Sequence, residues 1–334
     1  MLIPGLSLAL LDAIAEPALV IEKERVAAAN TPAITLLGER IVGRDIRFVL
    51  RHPDALEVIL TGRGGERELS SLAGGERPWS LIVRPLPGGT QLVRLLDRSA
   101  ERSAEKMRVD FVANASHELR TPLTTMIGYA ETLAEDGPID DALRMQFGST
   151  IHGEARRMLR TVEDLMSLSR IEADRFVPPA DRLELDEVAR ISVDNGRALA
   201  VQRGCSLHTA IASAGPIVGD FGQLLQLSDN LVANAIRYGC GPDGGQVTIG
   251  TAIEDGRAVL RVTDQGEGIA PEHLSRITER FYRVDAARSR DSGGTGLGLS
   301  ITKHIAERHR ARLEIRSTVG VGTEVTVAFP LARA

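Results

Sequence analysis

Between Val112 and Leu133 the apolar residues Val112, Ala115, Leu119, Leu123, Met126, Ala130 and Leu133 recur at steps of three and four. That spacing places them on one stripe of a helix. A second stripe runs Leu143, Phe147, Ile151, Ala155, Met158, Val162 and Leu165. The segment between them, Asp136 to Asp140, reads DGPID, a Gly-Pro turn that folds the second helix back on the first. One such hairpin leaves its stripe half covered, so the pattern predicts that two copies pair as a four-helix bundle, a homodimer. Two helices packed inside a monomeric domain are the alternative that the stripes leave open.

On either side of the hairpin the period changes. Residues 1–97 mix short β-like runs (Ala18 to Ile21, Val26 to Ala28, Trp79 to Arg84, Gln91 to Leu95) with helical stretches and glycine turns, which predicts a small α+β domain. DRSAERSAEK, from Asp97 to Lys106, has no breaker and predicts a helical connector over 98–107. The hairpin domain then occupies 108–175, and FVPPA, Phe176 to Ala180, marks a linker over 176–182. From 183 to 334 helices alternate with strands. A helix is predicted near Asp186 to Arg203, a strand near Ser206 to Ile211, and a helix capped by Asp220. Strands Val247 to Ile253 and Arg257 to Thr263 flank a hairpin at Asp255-Gly256, and two more lie near Arg312 to Ser317 and Thr323 to Phe329. This part reads as a two-layer α/β sandwich, and the whole chain as multidomain α+β.

Composition narrows the classes. With 334 residues the chain has room for two or three domains. Forty basic against forty-five acidic residues, net −5, argue against attachment to nucleic acid or anionic lipid by bulk charge. Aromatics are 3%, so the cores are aliphatic. The N-terminal stretch MLIPGLSLALLDAIAEPALVI is broken by Pro4, Asp12, Glu16 and Pro17, short of the about 18 apolar residues that span a bilayer. It also lacks a basic start and a cleavage site, so the reading predicts no signal peptide, no transmembrane segment and a cytoplasmic chain. Cys205 and Cys240 make neither a disulfide framework nor a metal-ligand spacing; they are predicted to be inert fillers in a reducing compartment.

Four local patterns carry chemistry. The first is SHELRTPL, Ser116 to Leu123. His117 stands two residues from both Ala115 and Leu119, about 200° round the helix from each, and so faces solvent. Arg120 and Thr121 share its face, and the carboxylate of Glu118 is within reach of the imidazole. A carboxylate on one ring nitrogen fixes the tautomer and leaves the other free to attack. Pro122 removes a backbone donor and is expected to loosen or kink the helix. A merely solvated His-Glu pair is the plain alternative.

The second pattern is DNLVANAIRY, in which Asn230 and Asn234 stack on one helix face with Arg237 and Tyr238 alongside. An amide oxygen is a hard ligand suited to Mg²⁺; a simply polar helix face is the other reading. The third is DQGEGIA, after a predicted strand. Asp264 can accept from an exocyclic amine there, while Gly266 and Gly268 let the backbone turn close beneath a flat ring. Turns and calcium loops use the same D-x-G-x-G. The fourth is GGTGLGLSI, Gly293 to Ile301, whose glycines ahead of a helix expose N–H groups to phosphate. RFYRVDAARSRDS before it supplies Arg280, Arg283, Arg288 and Arg290 and predicts a mobile, basic lid. Neither the Walker pattern nor a Rossmann fingerprint fits.

Taken in order, SHELRTPL, DNLVANAIRY, DQGEGIA, ERFYRVD and GGTGLGLSI resemble the two-component sensor histidine kinases over Arg108 to Leu331. The set is similar to the subgroup that includes phosphate-regulon sensors, and AANTPAITLLGERIVG, Ala28 to Gly43, looks like a divergent PAS sensor domain. The resemblance implies that His117 is the phospho-accepting nucleophile and Glu118 its acid/base partner. Thr121 matches the position that orients a water to dephosphorylate the regulator. Asn234 would hold Mg²⁺, with Asn230, Arg237 and Tyr238 beside ATP; Arg237 stands where lysine is frequent. Asp264 would read the adenine amine, and Gly266 and Gly268 would shape its pocket. Arg288, Arg290, Gly294, Thr295, Gly296, Leu297 and Gly298 would serve the lid and the phosphates. The implied partners are a second copy of the chain and the receiver domain of a response regulator, with no nucleic acid, and with membrane contact only through partners at the inner membrane. A silent ATP-binding scaffold and an ATP-gated clamp of the same superfamily are the rivals. The first is disfavoured because every residue the chemistry needs is present, the second because a clamp has no use for SHELRTPL on a dimerising hairpin.

Overall fold

Alternating burial shapes the first part of the chain. β1 (Ala18–Glu22) and β2 (Arg25–Ala29) form an antiparallel ribbon that turns through Lys23 and Glu24, both at positive φ. The computed structural model describes residues 9–72, 77–135, 139–174, 177–241, 244–284 and 294–332. The chain divides into two units, Met1–Val112 and Ala113–Ala334.

In the first unit α1 (Thr31–Leu37) starts at Asn30, a fully buried residue. Its amide oxygen accepts from the N–H groups of Ala18 at 2.9 Å and Ala33 at 3.0 Å, and its NH₂ donates to the carbonyls of Ile14 and Glu16. One side chain thus caps a helix and fastens the segment that enters β1. There follow α2 (Ile46–Val49), capped by Asp45, α3 (Pro53–Thr61), β3 (Gly65–Leu69), β4 (Trp79–Leu86) and β5 (Thr90–Asp97). The strands make one antiparallel sheet in the order β2-β1-β5-β4-β3. Its core is aliphatic apart from Trp79: Leu19, Ile21, Leu81, Val83, Val93 and Leu95 alternate inward to meet Ile46, Leu50 and Ile59. The sequence reading missed β3, whose GEREL offers a single large apolar residue and no alternation.

α4 (Ser99–Ala134) is a single helix of 36 residues, so the expected connector 98–107 is its opening turns rather than a separate element. The helix continues through Pro122, whose missing donor does not end it. α5 (Asp141–Ala173) is the second seam helix, and the rings of Tyr129 and Phe147 join the two at 4.9 Å. Asp136, Gly137 and Pro138 of the expected turn, and Phe176 of the linker, lie outside the described residues.

The sandwich begins at β6 (Asp181–Glu184), so the last two residues of the expected linker are already in a strand. Then come α6 (Leu185–Gln202), β7 (Cys205–Ile211), β8 (Pro216–Gly219), α7 (Phe221–Gly239), β9 (Gly245–Glu254) and β10 (Arg257–Asp264). α8 (Pro271–Leu274), α9 (Gly298–Arg308), β11 (Arg312–Thr318) and β12 (Gly322–Pro330) complete it. The main sheet runs β11-β12-β10-β9-β7, antiparallel except for β7 beside β9, and β6 pairs with β8. Asp255 and Gly256, both at positive φ, make the tight β9–β10 turn that the sequence predicted. α7 buries Leu224, Leu227, Leu231, Val232 and Ile236, and the sheet buries Val247, Ile249, Leu260, Val262 and Val327. This leaves the other side of α7 free to carry polar groups.

The reading of the two cysteines is corrected as well. Cys205 and Cys240 are joined in a disulfide, with Cα atoms 5.7 Å apart, and are not independent fillers. Their separation of 35 residues conceals the pairing. Cys205 opens β7 opposite Gly245 of β9, and Cys240 is the C-cap of α7, so the two meet where the strand starts and the helix ends.

Candidate functional site

α4 presents His117 to solvent, with Arg120 and Thr121 also exposed. The Thr121 hydroxyl donates to the His117 carbonyl at 3.2 Å. Outward placement of the imidazole, inferred from the stripe, is therefore observed. The partner of Glu118 differs from expectation. Its Oε2 accepts from Arg157 of α5 at 3.3 Å and from Arg283 at 3.1 Å. Both guanidiniums are largely buried, and two charge-assisted bonds hold the carboxylate on Arg157 and Arg283.

The second group of predicted residues lines one cleft of about 1530 Å³. α7 delivers Asn230, Asn234, Arg237 and Tyr238 to it. Asp220 caps the helix by accepting from the Gln223 N–H at 3.1 Å, and the apolar face described above sets its rotation. Asn230 donates to the Gly298 carbonyl at 3.3 Å, tying α7 to the start of α9. Burial lowers the pKa of the Arg237 guanidinium from its ordinary value.

β10 delivers Asp264 at its last residue. Oδ1 accepts from the N–H groups of Gly266 at 2.9 Å and Thr323 at 3.3 Å, and Oδ2 takes no hydrogen bond among the described residues. Burial raises the pKa of this carboxyl, and the two backbone bonds oppose the rise. A Cβ on Gly266 would collide with the Tyr238 carbonyl, and Gly268 sits at φ +70 against the Thr318 carbonyl. The backbone here is packed to a closeness only glycine permits, which keeps the floor of the cleft flat.

Gly294, Thr295, Gly296 and Gly298 form another wall, while Leu297 is buried as the N-cap of α9. The Phe281 N–H donates to the Gly296 carbonyl at 2.9 Å, and Arg283 donates to the Gly294 carbonyl at 2.6 Å. The two ends of the predicted lid are thereby pinned together. Arg288 and Arg290 lie outside the described residues. The two earlier arginines serve the hairpin: Arg280 pairs with Glu172, and Arg283 with Glu118.

Sequence reasoning missed three cleft residues, Arg160, Glu163 and Asp164 of α5. The Thr295 hydroxyl donates to Asp164 Oδ2 at 2.6 Å, and burial raises the pKa of that carboxyl. These residues occupy the polar side of a seam helix, where nothing in the local pattern separates a solvated charge from one that meets another domain. Tyr282, also on the cleft, is held by His273 at 2.8 Å and by Arg276, 4.4 Å above its ring. Among the described residues no group of three or more His, Cys, Asp or Glu can hold a metal.

Residues 107–174 match the His Kinase A (phospho-acceptor) domain, and residues 219–333 match the histidine kinase-, DNA gyrase B-, and HSP90-like ATPase domain. Sensor protein kinase WalK of Staphylococcus aureus is 31% identical over 326 residues, which cover 92% of this chain and 76% of that protein. The chain belongs to the sensor histidine kinase family. Other sensor histidine kinases match over a shorter span. The phosphate regulon sensor protein PhoR of Pseudomonas aeruginosa is 38% identical over 242 residues, 72% of this chain and 54% of PhoR. Sensor-like histidine kinase SenX3 of Mycolicibacterium smegmatis is 36% identical over 239 residues, 72% of this chain and 62% of SenX3. The chain thus spans between half and two thirds of the length of these two. The fold of Acinetobacter baumannii histidine kinase AdeS is similar, with a TM-score of 0.50 at 21% identity, covering 65% of this chain and 98% of that one. In this sensor histidine kinase His117 falls in the phospho-acceptor match, and the cleft residues from Asn230 to Gly298 fall in the ATPase match. No helix among the described residues is long and apolar enough to cross a membrane.

Proposed function

We propose that this sensor histidine kinase phosphorylates itself on His117 from Mg-ATP and passes the phosphoryl group to an aspartate on the receiver domain of a response regulator. The observation that carries the reading is that one cleft gathers Asn234, Asp264 and the 294–298 glycines and is walled by α5, the partner helix of the one that presents His117.

Asp264 Oδ2 accepts from the adenine amine while Gly266 and Gly268 let the ring lie against the backbone. The N–H groups at the start of α9, with its positive dipole end, receive the phosphates. Asn234 is a single hard oxygen on the cleft, and that donor set fits a Mg²⁺ that takes the rest of its shell from phosphates and water. When bound, the ion neutralises charge on the transferring group. A His117 ring nitrogen attacks the γ-phosphorus in line; the N–P bond forms as the bond to the bridging oxygen breaks, and ADP departs with that oxygen. Glu118 takes the proton from the second ring nitrogen once Arg283 has let it go. The phosphoramidate is then attacked by the regulator's aspartate. In a separate hydrolytic step Thr121, on the face of His117, orients a water that attacks the regulator's aspartyl phosphate, freeing the carboxylate and inorganic phosphate.

The stripes leave Val112, Leu123, Leu143 and Val162 exposed in the single chain, which supports pairing of two copies as a four-helix bundle. The antiparallel order β2-β1-β5-β4-β3 supports a PAS-like sensor over 1–97, followed by the connector 98–107, the phosphotransfer hairpin 108–175, the linker 176–182 and the catalytic domain 183–334. Similarity to PhoR supports control of the phosphate-starvation response, and use of ATP supports a cytoplasmic site of action.

Incubation with γ-labelled ATP tests the reading. Wild type gains acid-labile, base-stable label and His117→Gln gains none. Label that persists in the variant removes His117 from the reaction, and ATP hydrolysis without label supports the clamp instead.

A further inference from the structure

We propose that Cys205 and Cys240 form a thiol–disulfide switch that sets how tightly the cleft holds its nucleotide. The inference rests on reading that cleft as the ATP site, and it concerns residues with no part in the phosphoryl transfer. Cys240 ends α7, the helix that carries Asn230 and Asn234, and it lines the cleft itself. Cys205 begins β7, next to Gly204, another lining residue. The bridge therefore fastens the rim of the cleft from two directions.

The packing at this corner passes any movement of the bridge to Asp264. A Cβ on Gly239 would strike the Asp264 side chain, and one on Gly266 would strike Gly239 and the Tyr238 carbonyl. On the other side, a Cβ on Gly245 would lie 2.9 Å from Cys240 Cα and 3.0 Å from its sulfur, and one on Gly244 would lie 2.8 Å from the Gly204 carbonyl. Gly241 and Gly244 exchange backbone hydrogen bonds at 3.1 and 3.0 Å. Stretches of backbone approach here to distances that leave no room for a Cβ on Gly239, Gly244, Gly245 or Gly266, and the disulfide is the covalent tie between the end of α7 and β7. With the tie closed, Gly239 is held as the wall behind Asp264 and the site is preorganised. With it open, the end of α7 loses its covalent tie to β7, while the register of β7 on β9 that starts at Cys205 and Gly245 stays.

Access is asymmetric, as a switch requires. Cys240 is buried and Cys205 is partly exposed. The oxidant is a small disulfide such as oxidised glutathione. The Cys205 thiolate attacks it, giving a mixed disulfide and one small thiolate. The Cys240 thiolate then displaces the second, so the protein gives up two electrons and two protons and two small thiols are formed.

The test uses the full chain equilibrated with oxidised or reduced glutathione. Thiols are counted after denaturation, intact mass is recorded, and binding of a non-hydrolysable ATP analogue is titrated in each state. Expected are the loss of both thiols with a mass lower by two hydrogens on oxidation, and an affinity on the order of fivefold tighter than in the reduced protein. Cys205→Ser should bind alike in both buffers, at the affinity of the reduced wild type. Two free thiols in the oxidised protein, or a lone glutathione adduct, would overturn the switch, and so would a bridge that forms without changing affinity. A bridge that forms in a protein unable to bind the analogue in either state overturns both the switch and the ATP reading.

Discussion

Arg283 donates to Glu118 at 3.1 Å and, through the same nitrogen, to the Gly294 carbonyl at 2.6 Å. The carboxylate beside the exposed histidine is thus linked by one side chain to the far end of the lid. Thr295 adds a second link through Asp164. The catalytic part is docked on its own hairpin in an arrangement that occupies Glu118, and in the proposed reaction it lets go before that carboxylate serves His117.

The docking is measurable. A double-mutant cycle with Glu118→Gln and Arg283→Ala, followed by far-UV circular dichroism during denaturation of nucleotide-free protein, should give a coupling of about 1–2 kcal/mol. Additive single-mutant effects would mean that the pair does not persist in solution.

Asp264 should govern both affinity and its pH dependence. Asp264→Asn should weaken nucleotide binding by about 10- to 100-fold, the cost of losing a hydrogen bond to a charged acceptor. Burial raises the pKa of this carboxyl, and the ionised form is the one that accepts freely. Wild-type affinity should therefore fall on acidification, at a pH above the ordinary aspartate value of about 3.9, and the variant should show no such step. Calorimetric titration across pH checks both statements.

Asn234 should separate chemistry from folding. Asn234→Ala is expected to cut the rate of His117 labelling by at least about 100-fold while the circular dichroism spectrum stays unchanged. A variant that labels at the wild-type rate would take Asn234 out of metal binding.

His309 should make the fold acid-sensitive. It is 3% exposed, its Nδ1 lies 2.8 Å from the Ile305 carbonyl, and its Nε2 accepts from the Asp220 N–H at 3.0 Å. Nε2 can accept only when the ring is neutral, and burial lowers the ring's pKa, with Arg308 lowering it further and Asp220 opposing. A lowered pKa means that the unfolded chain takes up the proton first. The stabilisation is complete above the unfolded value of about 6.5 and is lost as pH falls through it toward the folded value. The melting temperature should fall over that window, and less steeply in His309→Gln. His304, also held low by burial, should leave a residual slope.

The exposed stripe should hold the dimer. Leu123 is 46% exposed and Val162 is 42% exposed in the single chain. Replacing both by glutamate should halve the mass seen by light scattering, since two charges on the seam cannot be buried unpaired. An unchanged mass would place the dimer contact elsewhere.

Much of the molecule was legible beforehand because the signals are local. The seam stripes marked α4 and α5, alternation marked β9, β10, β11 and β12, and the Asp220 cap marked α7 to within a residue. Strands β3, β6 and β8 were missed because GEREL, DRLE and PIVG are too short or too polar to alternate; each exists because a neighbouring strand completes its hydrogen bonds. The site divides in the same way. His117 faces out because a helix has 3.6 residues per turn, and Asn230 shares a face with Asn234 for the same reason.

The sequence by itself determined on which face of its helix His117 stands and that Asn230 and Asn234 share a face, because helix period, caps and turn residues act over only a few positions. The tertiary structure alone decided who meets whom. It gave Glu118 to Arg157 and Arg283, made Asp164 a wall of the cleft, and brought Cys205 to Cys240. Those pairings depend on how distant segments approach once their apolar faces are buried, and the spacing of residues along a chain carries no record of that approach.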